Sequence, residues 1–207
     1  MKILYITPRP PIHTYKGDQL IAHNQIKNLS KYKNIDIILV TFYKNSNQKK
    51  QLINEFKNYC SKIYMMKINR KINFIKNTFN ADPVQVKLFY NEHIQKLIDN
   101  IIEKTKPDIL HVQTIRIAKY FINKDIPKVI DMIDALSLNM KRRAKRENIF
   151  KKLLFYLEYK LCYKFEKYIM DKFDEIIIVS NKDKKFLGNN NININPNGTN
   201  FYFNKNE

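Results

Sequence analysis

The chain has 207 residues, 44% of them hydrophobic and 13% aromatic, with a formal net charge of +19 at pH 7. This composition excludes a disordered tail, and the length is enough for a substantial core. The longest apolar runs, Ile35 to Phe42 and Ile176 to Val179, are far shorter than the roughly 20 residues that span a bilayer. The first strand runs into a Pro-rich loop rather than a signal-peptide cleavage site, so we predict a cytoplasmic protein.

Cysteines, histidines and arginines restrict the kinds of site. Cys60 and Cys162 are far apart in the sequence, as expected of reduced, packed thiols. The four histidines, which include His13, have no metal-ligand spacing, so we predict no metal and no cofactor. Only six of the 38 basic residues are arginine, whereas nucleic-acid readers tend to cluster arginine, so no nucleic acid is expected. Peripheral contact with an anionic membrane at its inner face stays open.

The first half of the chain alternates strands and helices. Lys2 to Thr7 is predicted as a strand, and a helix begins at Asp18 with Leu20, Ile21, Ile26 and Leu29 on its apolar stripe. The next predicted elements are listed in order: strand Ile35–Phe42, helix Gln48–Lys57, strand Ser61–Ile68, and a poorly patterned segment to Asp82. This βαβα order is typical of a parallel sheet.

The second half continues the alternation. The predicted elements are helix Glu92–Thr105, strand Asp108–Val112, helix Ile115–Phe121, strand Lys128–Ile133, helix Glu147–Lys172, strand Asp174–Ser180 and strand Asn191–Asn195. Right-handed crossovers would stack the strands into one Rossmann-like parallel α/β sheet with helices on both faces.

The longest predicted helix has two interpretations. Phe150, Leu154, Leu157, Leu161, Phe165 and Ile169 fall on one face of Glu147–Lys172, with lysines elsewhere. The favoured interpretation is a helix that packs this face into the core; the alternative is a helix that lies on a membrane.

Polar residues collect where the predicted strands end, and ligands bind at such ends of open parallel sheets. Lys16, Gly17 and Asp18 form a turn at a helix N-terminus, where backbone N–H groups favour a phosphate. Three further groups of residues follow later strands: Gln113 and Arg116; Asp134, Ser137 and Asn139; and Ser180 with Asn197. Helix capping by Asp134 or Ser137 is the competing explanation for the second of these groups.

Taken together, these stretches resemble the N-terminal domain of GT-B glycosyltransferases of the large retaining family often called family four. The similar segments are listed here: Lys16-Gly17-Asp18, Lys106 to Val112, Asp131 to Ser137, Phe173 to Ser180, and Pro196-Asn197-Gly198. The run Asp131 to Ser137 and the long helix after it look like a subgroup tied to bacterial cell-surface polysaccharide assembly.

The resemblance implies roles for these residues. Lys16, Gly17 and Asp18 would meet the donor pyrophosphate of a nucleotide sugar, and Asp134 would be catalytic. The acceptor would be a glycan or a lipid-linked glycan. Its binding site would be lined by Gln113, Arg116, Ser137, Asn139, Ser180 and Asn197. The sequence departs from the family at two positions. Gln113 stands where family members commonly have a second His, and Lys16 stands where they usually have the first Gly of a Gly-Gly pair.

The resemblance also predicts a domain organisation. Residues 1–198 would form the acceptor-side domain, residues 199–207 would begin the interdomain linker, and the C-terminal donor domain would be absent. Such a chain is expected to be inactive alone, because catalysis needs both domains to close on the substrates. The alternative from another class is a non-catalytic basic module that binds an anionic membrane or nucleic acid. A dehydrogenase is disfavoured because the G-x-G-x-x-G fingerprint is missing.

Overall fold

The structure, a computed structural model, describes residues 1–12, 16–44, 47–188 and 191–198. Within them lies one seven-stranded sheet in the order β3-β2-β1-β4-β5-β6-β7, with every pair of neighbouring strands parallel. The predicted linker at 199–207 and His13 fall outside the described residues.

The elements have the following bounds. The strands are β1 Lys2–Thr7, β2 Asp36–Tyr43, β3 Lys62–Lys67, β4 Ile109–Gln113, β5 Lys128–Ile133, β6 Glu175–Ile178 and β7 Ile192–Ile194. The helices are α1 Gly17–Leu29, α2 Asn47–Phe56, α3 Arg70–Lys76, α4 Val84–Lys87, α5 Glu92–Thr105, α6 Leu136–Ala144, α7 Ile149–Met170 and α8 Asn181–Leu187. All the predicted strands are present, each within a few residues of the predicted bounds.

Two apolar cores lie on the two faces of the sheet, because successive side chains of a strand point to opposite faces. Ile3 and Tyr5 of β1 belong to the core that α1 and α2 cover, whereas Leu4 and Ile6 belong to the larger core that α5 and α7 cover. The helices therefore change face between the first and second halves of the chain. The strand order reverses at the same place, between β1 and β4, which is the switch point where open α/β sheets bind ligands.

Three sequence predictions about helices are wrong. The segment Ile115–Phe121 forms only a single 3-10 turn at Ala118–Tyr120. The segment before Asp82, which showed no pattern, contains α3, whose first turn is capped by the side chain of Asn69. In α1 the buried residues are Gln19, Ala22 and Ile26, while Leu20 is exposed.

The prediction that α7 packs its whole apolar face into the core is also wrong. Phe165 and Ile169 in its second half are buried, but Phe150 is 83% exposed and Leu154 66% exposed. Residues 149–157 of α7, all within the described part of the chain, belong to neither of the two apolar cores. The five exposed residues Ile149, Phe150, Leu153, Leu154 and Leu157 are called the α7 apolar patch below.

Two neighbouring strands end in strained backbone. Thr114, directly after β4, has φ 67°, and Ile133, the last residue of β5, has φ 66°. A left-handed conformation is unfavourable for β-branched residues, by roughly 1–2 kcal/mol each. The Thr114 N–H donates to the Asp131 carbonyl at 2.7 Å, and the Ile133 N–H donates to the Asp131 carboxylate at 3.1 Å, so both turns are fixed on one residue. β5 is also irregular between Asp131 and Ile133.

Candidate functional site

The end of β4 is tied to the start of α1. Gln113 is buried, and its side-chain amide donates a hydrogen bond to the main-chain carbonyl of Asp18 at 2.8 Å. Asp18 lies in the first turn of α1, and its carboxylate forms an ion pair with Arg9 at 2.9 Å. The structure therefore brings together two of the predicted groups, at the switch point of the sheet.

The predicted phosphate turn is open to solvent. Lys16 is the N-cap residue of α1 and Gly17 is its first residue, and both are exposed. Gly17 does not have positive φ, and a Cβ added there would meet nothing within 4 Å among the described residues. No described residue near Gly17 requires glycine at this position, so the space that these residues leave above it is available to a ligand.

Asp134 directly follows β5, and Asn139 lies in α6. The Asn139 amide donates to the Asp134 carboxylate at 2.7 Å, and Arg142 donates to the Asn139 oxygen at 3.4 Å. Partial burial raises the pKa of Asp134, while the Asn139 hydrogen bond and the charge of Arg116 oppose the shift. Asp134 as a residue remains exposed, so solvent screens these interactions.

Arg116, which follows β4, is linked to both of these groups by its charge. Its Nε donates to the Gln85 side chain at 3.1 Å, at the start of α4. Burial lowers the pKa of its guanidinium, the positive charge of Arg9 lowers it further, and Asp18 and Asp134 act in the opposite direction. Arg116 is therefore electrostatically coupled to both predicted carboxylates of the site.

Two residues of the site, Arg9 and Arg70, were missed by the sequence reasoning. Burial lowers the pKa of Arg70, and the charges of Arg9 and Arg116 lower it further. The Arg70 guanidinium lies over the Phe89 ring at 4.4 Å, and its Nε is buried without a hydrogen-bond partner among the described residues. One signal was available in the sequence: both positions carry arginine in a chain in which most basic residues are lysine.

Ser137 does not line an exposed surface. It has no exposed area, its hydroxyl donates to Glu166 of α7, and its N–H donates to the same carboxylate at 3.1 Å. The expected contact between Ser137 and an acceptor is thus replaced by a contact that fixes the first turn of α6. Glu166 was not identified from the sequence because a glutamate in a helix rich in charged residues resembles a solvated one.

Ser180 and Asn197 are separate from these contacts. Ser180 is the N-cap of α8, where its hydroxyl accepts from the Asp183 N–H at 3.1 Å and donates to the Asp183 carboxylate. Asn197 is exposed after β7. No described contact links either residue to Asp134 or Gln113, so their place in the acceptor site stays a prediction.

A buried polar network underlies the site. Tyr5 donates to Gln25, and Gln25 donates to the Asp131 carboxylate at 2.9 Å. His111 stacks on the Tyr5 ring with centroids 4.4 Å apart, and burial lowers the pKa of the imidazole. His111 is therefore a neutral core residue, and Asp131 is a structural acceptor rather than a second acid of the site. The described part of the chain holds no cluster of metal-ligating side chains.

Comparison with known proteins identifies the fold. No family model and no curated protein matches the sequence. Among solved structures, a UDP-N-acetylglucosamine 2-epimerase is similar with a TM-score of 0.53 and 12% identity, covering 94% of this chain and 47% of that chain. The co-structure of S. aureus MnaA with UDP gives a TM-score of 0.55 and 12% identity, covering 93% and 44%. The chain thus spans about half the length of these two.

A third structure is similar over nearly its whole length. Sucrose-phosphate synthase from Thermosynechococcus elongatus gives a TM-score of 0.52 and 12% identity, covering 97% of this chain and 91% of that chain. Likeness at this identity establishes the fold alone. The predicted Rossmann-like parallel sheet, as in the N-terminal half of a GT-B fold, is confirmed.

Glu166 gives the first prediction, on stability. Burial raises the pKa of Glu166 from 4.5 to about 7, although its hydrogen bonds to Ser137 oppose the shift. A raised folded-state pKa means that the native state holds the proton more tightly. The contribution of Glu166 is therefore full below pH 4.5 and decreases as pH rises to about 7, by a few kcal/mol.

Denaturant unfolding at pH 5 and pH 8 tests this assignment. The free energy of unfolding of Glu166→Gln should depend less on pH in this range than that of the wild type. From pH 5 to pH 8, the stability of the variant relative to the wild type should therefore increase. The exposed Glu103→Gln variant serves as the control and should follow the wild-type pH profile. Parallel profiles for wild type and Glu166→Gln would show that this carboxyl does not hold the proton in the native state.

Proposed function

We propose that this chain is the acceptor-side domain of a retaining glycosyltransferase that uses a nucleotide sugar to extend a glycan or lipid-linked acceptor in cell-surface polysaccharide synthesis. The observation that carries the proposal is the contact of Gln113 with Asp18 at the switch point, with Arg116 electrostatically coupled to Asp18 and Asp134. Two solved structures of similar fold were determined with UDP or UDP-N-acetylglucosamine bound. This supports a nucleotide-sugar ligand.

The roles follow from position. The N–H groups at Gly17 and the positive end of the α1 dipole favour the donor pyrophosphate, and the open space above Gly17 admits it. Asp134, oriented by Asn139, accepts a hydrogen bond from the acceptor hydroxyl that attacks the sugar. In this scheme the transfer requires no cofactor and no metal. A second domain supplies the remaining contacts to the donor, and the reaction takes place on the cytoplasmic side of the membrane.

The competing function is a basic module that only binds polyanions, and the net charge of +19 favours it. The two functions differ in salt dependence. Non-specific DNA binding should decrease steeply with salt, with a slope set by the number of phosphates neutralised. A nucleotide sugar that contacts one helix N-terminus should show a much shallower dependence.

A membrane surface is the partner that we assign to the α7 apolar patch. The five side chains recur at positions i, i+1, i+4, i+5 and i+8, which places them on one side of the helix. The last turn of α6 adds Lys141, Arg142 and Arg143, and Arg143 lies over the Phe155 ring at 4.2 Å. An exposed apolar face beside cations matches the interface of an anionic bilayer. None of the described helices is long and apolar enough to cross a membrane.

Nucleotide sugars at millimolar concentration should shift the amide NMR signals of Gly17 and Asp18 in the isolated chain, because one wall of the site binds weakly. Gly17→Val should abolish the shifts while leaving the melting temperature unchanged, since the space above Gly17 is open. Asn28→Val, at another exposed position of α1, is the control and should bind normally. The proposal fails if no nucleotide sugar causes shifts beyond those of equal ionic strength.

Asp134→Asn should lower turnover about 100-fold in an enzyme completed by a C-terminal domain, because the amide is a far weaker acceptor for the hydroxyl proton. KM for the donor should change little. Asp171→Asn, at the exposed C-terminus of α7, is the matched control and should retain full turnover. Unchanged turnover in Asp134→Asn would leave Asp134 with a purely structural role beside Asn139.

Vesicle sedimentation tests the membrane surface. The double variant Phe150→Ser/Leu154→Ser should bind anionic phosphatidylglycerol vesicles at least tenfold more weakly than wild type, because two large apolar side chains are lost. Tyr32→Ser removes an exposed aromatic residue between two lysines and should bind normally. Equal binding by the double variant would contradict the assignment. A wild-type dimer that the double variant converts to a monomer would instead identify a second copy as the occupant.

A further inference from the structure

Three of the six arginines of the chain converge on one place in the fold, although they are far apart in sequence. Arg9 follows β1, Arg70 is the first residue of α3, and Arg116 follows β4. The other three lie within or just after α6. Lysine outnumbers arginine several-fold in this chain, so arginine at these three positions is a departure from its general composition.

A series of contacts connects the three guanidinium groups. Arg9 pairs with Asp18, and Gln113, which bonds the Asp18 carbonyl, is three residues before Arg116. Arg116 bonds Gln85, and α4, which contains Gln85, leads into Phe89, on which Arg70 stacks. The cluster therefore spans the carboxyl ends of β1 and β4 and the starts of α3 and α4.

Among the described residues, the positive charges that act within this cluster outnumber the negative ones. The charges of Arg9 and Arg116 lower the pKa of Arg70, and the charges of Arg70, Lys16 and Arg9 lower the pKa of Lys44. Asp18 and Asp134 are the carboxylates that act against this repulsion, and the cations outnumber them. Mutual repulsion of partly buried cations is unfavourable unless an anion relieves it.

The way each arginine is held leaves its outer edge available. Arg9 and Arg116 are engaged through Nε, and Arg70 through the face of its guanidinium. Within residues 1–12, 16–44, 47–188 and 191–198, no hydrogen bond or ion pair reaches the terminal nitrogens of the three groups. Guanidinium forks with free terminal N–H groups match the oxygens of a phosphoryl group.

We propose that Arg9, Arg70 and Arg116 form a binding site for a phosphoryl group of a substrate, next to the Gly17 turn. The inference rests on the proposed function and deepens it, since it assigns the polar contacts for a phosphorylated substrate to this domain. Two sources share this chemistry: the diphosphate of the nucleotide-sugar donor, and a phosphate that links the acceptor to its lipid. Arginine is suited to the task because its charge persists despite the burial and repulsion.

The small number of arginines makes a direct test feasible. In the 15N spectrum of the arginine Nε–H groups, inorganic phosphate should shift the three cluster signals in a saturable way and leave the three α6 signals unchanged. Chloride at equal ionic strength should shift none of them selectively. Equal shifts of all six signals would mean general screening, and no shifts would mean no site; either result overturns the proposal.

Substitutions distinguish the contribution of the bidentate guanidinium geometry to phosphate binding from that of the positive charge. Arg70→Lys keeps the charge but loses the bidentate fork and should weaken phosphate binding about tenfold. Arg146→Lys, at an exposed position just after α6, is the matched control and should bind phosphate as the wild type does. Arg116→Lys provides a second cluster variant if Arg70→Lys does not fold. Wild-type affinity in both cluster variants would contradict the proposal.

Competition identifies the source of the phosphoryl group. Displacement of phosphate by UDP but not by a short alkyl phosphate assigns the site to the donor, and the reverse pattern assigns it to the acceptor; displacement by neither overturns a substrate site. The result is separable from the Gly17 test. Phosphate binding without changes in the Gly17 amide signal on addition of nucleotide sugar would contradict the proposed function alone. Changes in the Gly17 signal without phosphate binding would contradict this inference alone.

Discussion

Two buried carboxylates of α7 hold the candidate site in place. Glu166 accepts hydrogen bonds from the N–H and hydroxyl of Ser137 at the start of α6, and Glu158 accepts from the N–H of Val84, at 3.0 Å, at the start of α4. Each carboxylate satisfies N–H groups that have no partner inside their own helix and lies at the positive end of its dipole. α4 carries Gln85, the partner of Arg116, and α6 carries Asn139, the partner of Asp134. The orientation of the site therefore depends on two acids that never reach its surface.

The six arginines of the chain form two groups, one at the candidate site and one close to the α7 apolar patch. One group of three arginines faces the switch point of the sheet, and the other group lies on or beside α6, close to the start of α7. α6 begins at the end of β5, where Asp134 lies, and its nine residues span about 13 Å. A bilayer at the α7 apolar patch would thus lie one short helix from the candidate site. That distance suits an acceptor whose glycan is reached from the membrane surface.

Much of the fold was predictable because local patterns determine it. The strands are apolar runs between turns, and α5 was predicted at its observed bounds because its apolar stripe is regular and Pro107 follows its end; the structure adds the cap at Asn91. The first half of α7 has an equally regular stripe, yet it is exposed, because periodicity shows which face is apolar but not what covers it.

The site was predictable only in part. Strand ends identified Gln113, Arg116 and Asp134, since their place in the sheet follows from sequence order. The charges of Arg9 and Arg70 interact because tertiary packing brings together two segments about 60 residues apart. No local sequence pattern encodes this proximity. The burial of Ser137 against Glu166 depends on the crossing of α6 and α7, which the sequence does not reveal.

The strand order has a consequence for biosynthesis. β1 pairs with β2, from Lys2 opposite Asp36 onward, and its other edge pairs with β4, beginning with Ile3 opposite Ile109. Synthesis proceeds at about 5–20 residues per second, so β4 leaves the ribosome about 4–15 s after β2. The edge of β1 that pairs with β4 is therefore uncovered for that time after the other edge can pair with β2. During that interval an apolar strand has exposed hydrogen-bonding groups, so a nascent chain that stops before residue 109 presents an edge to other proteins. The β1–α1–β2 unit is thus a part of the nascent chain that would gain from chaperone protection on the ribosome.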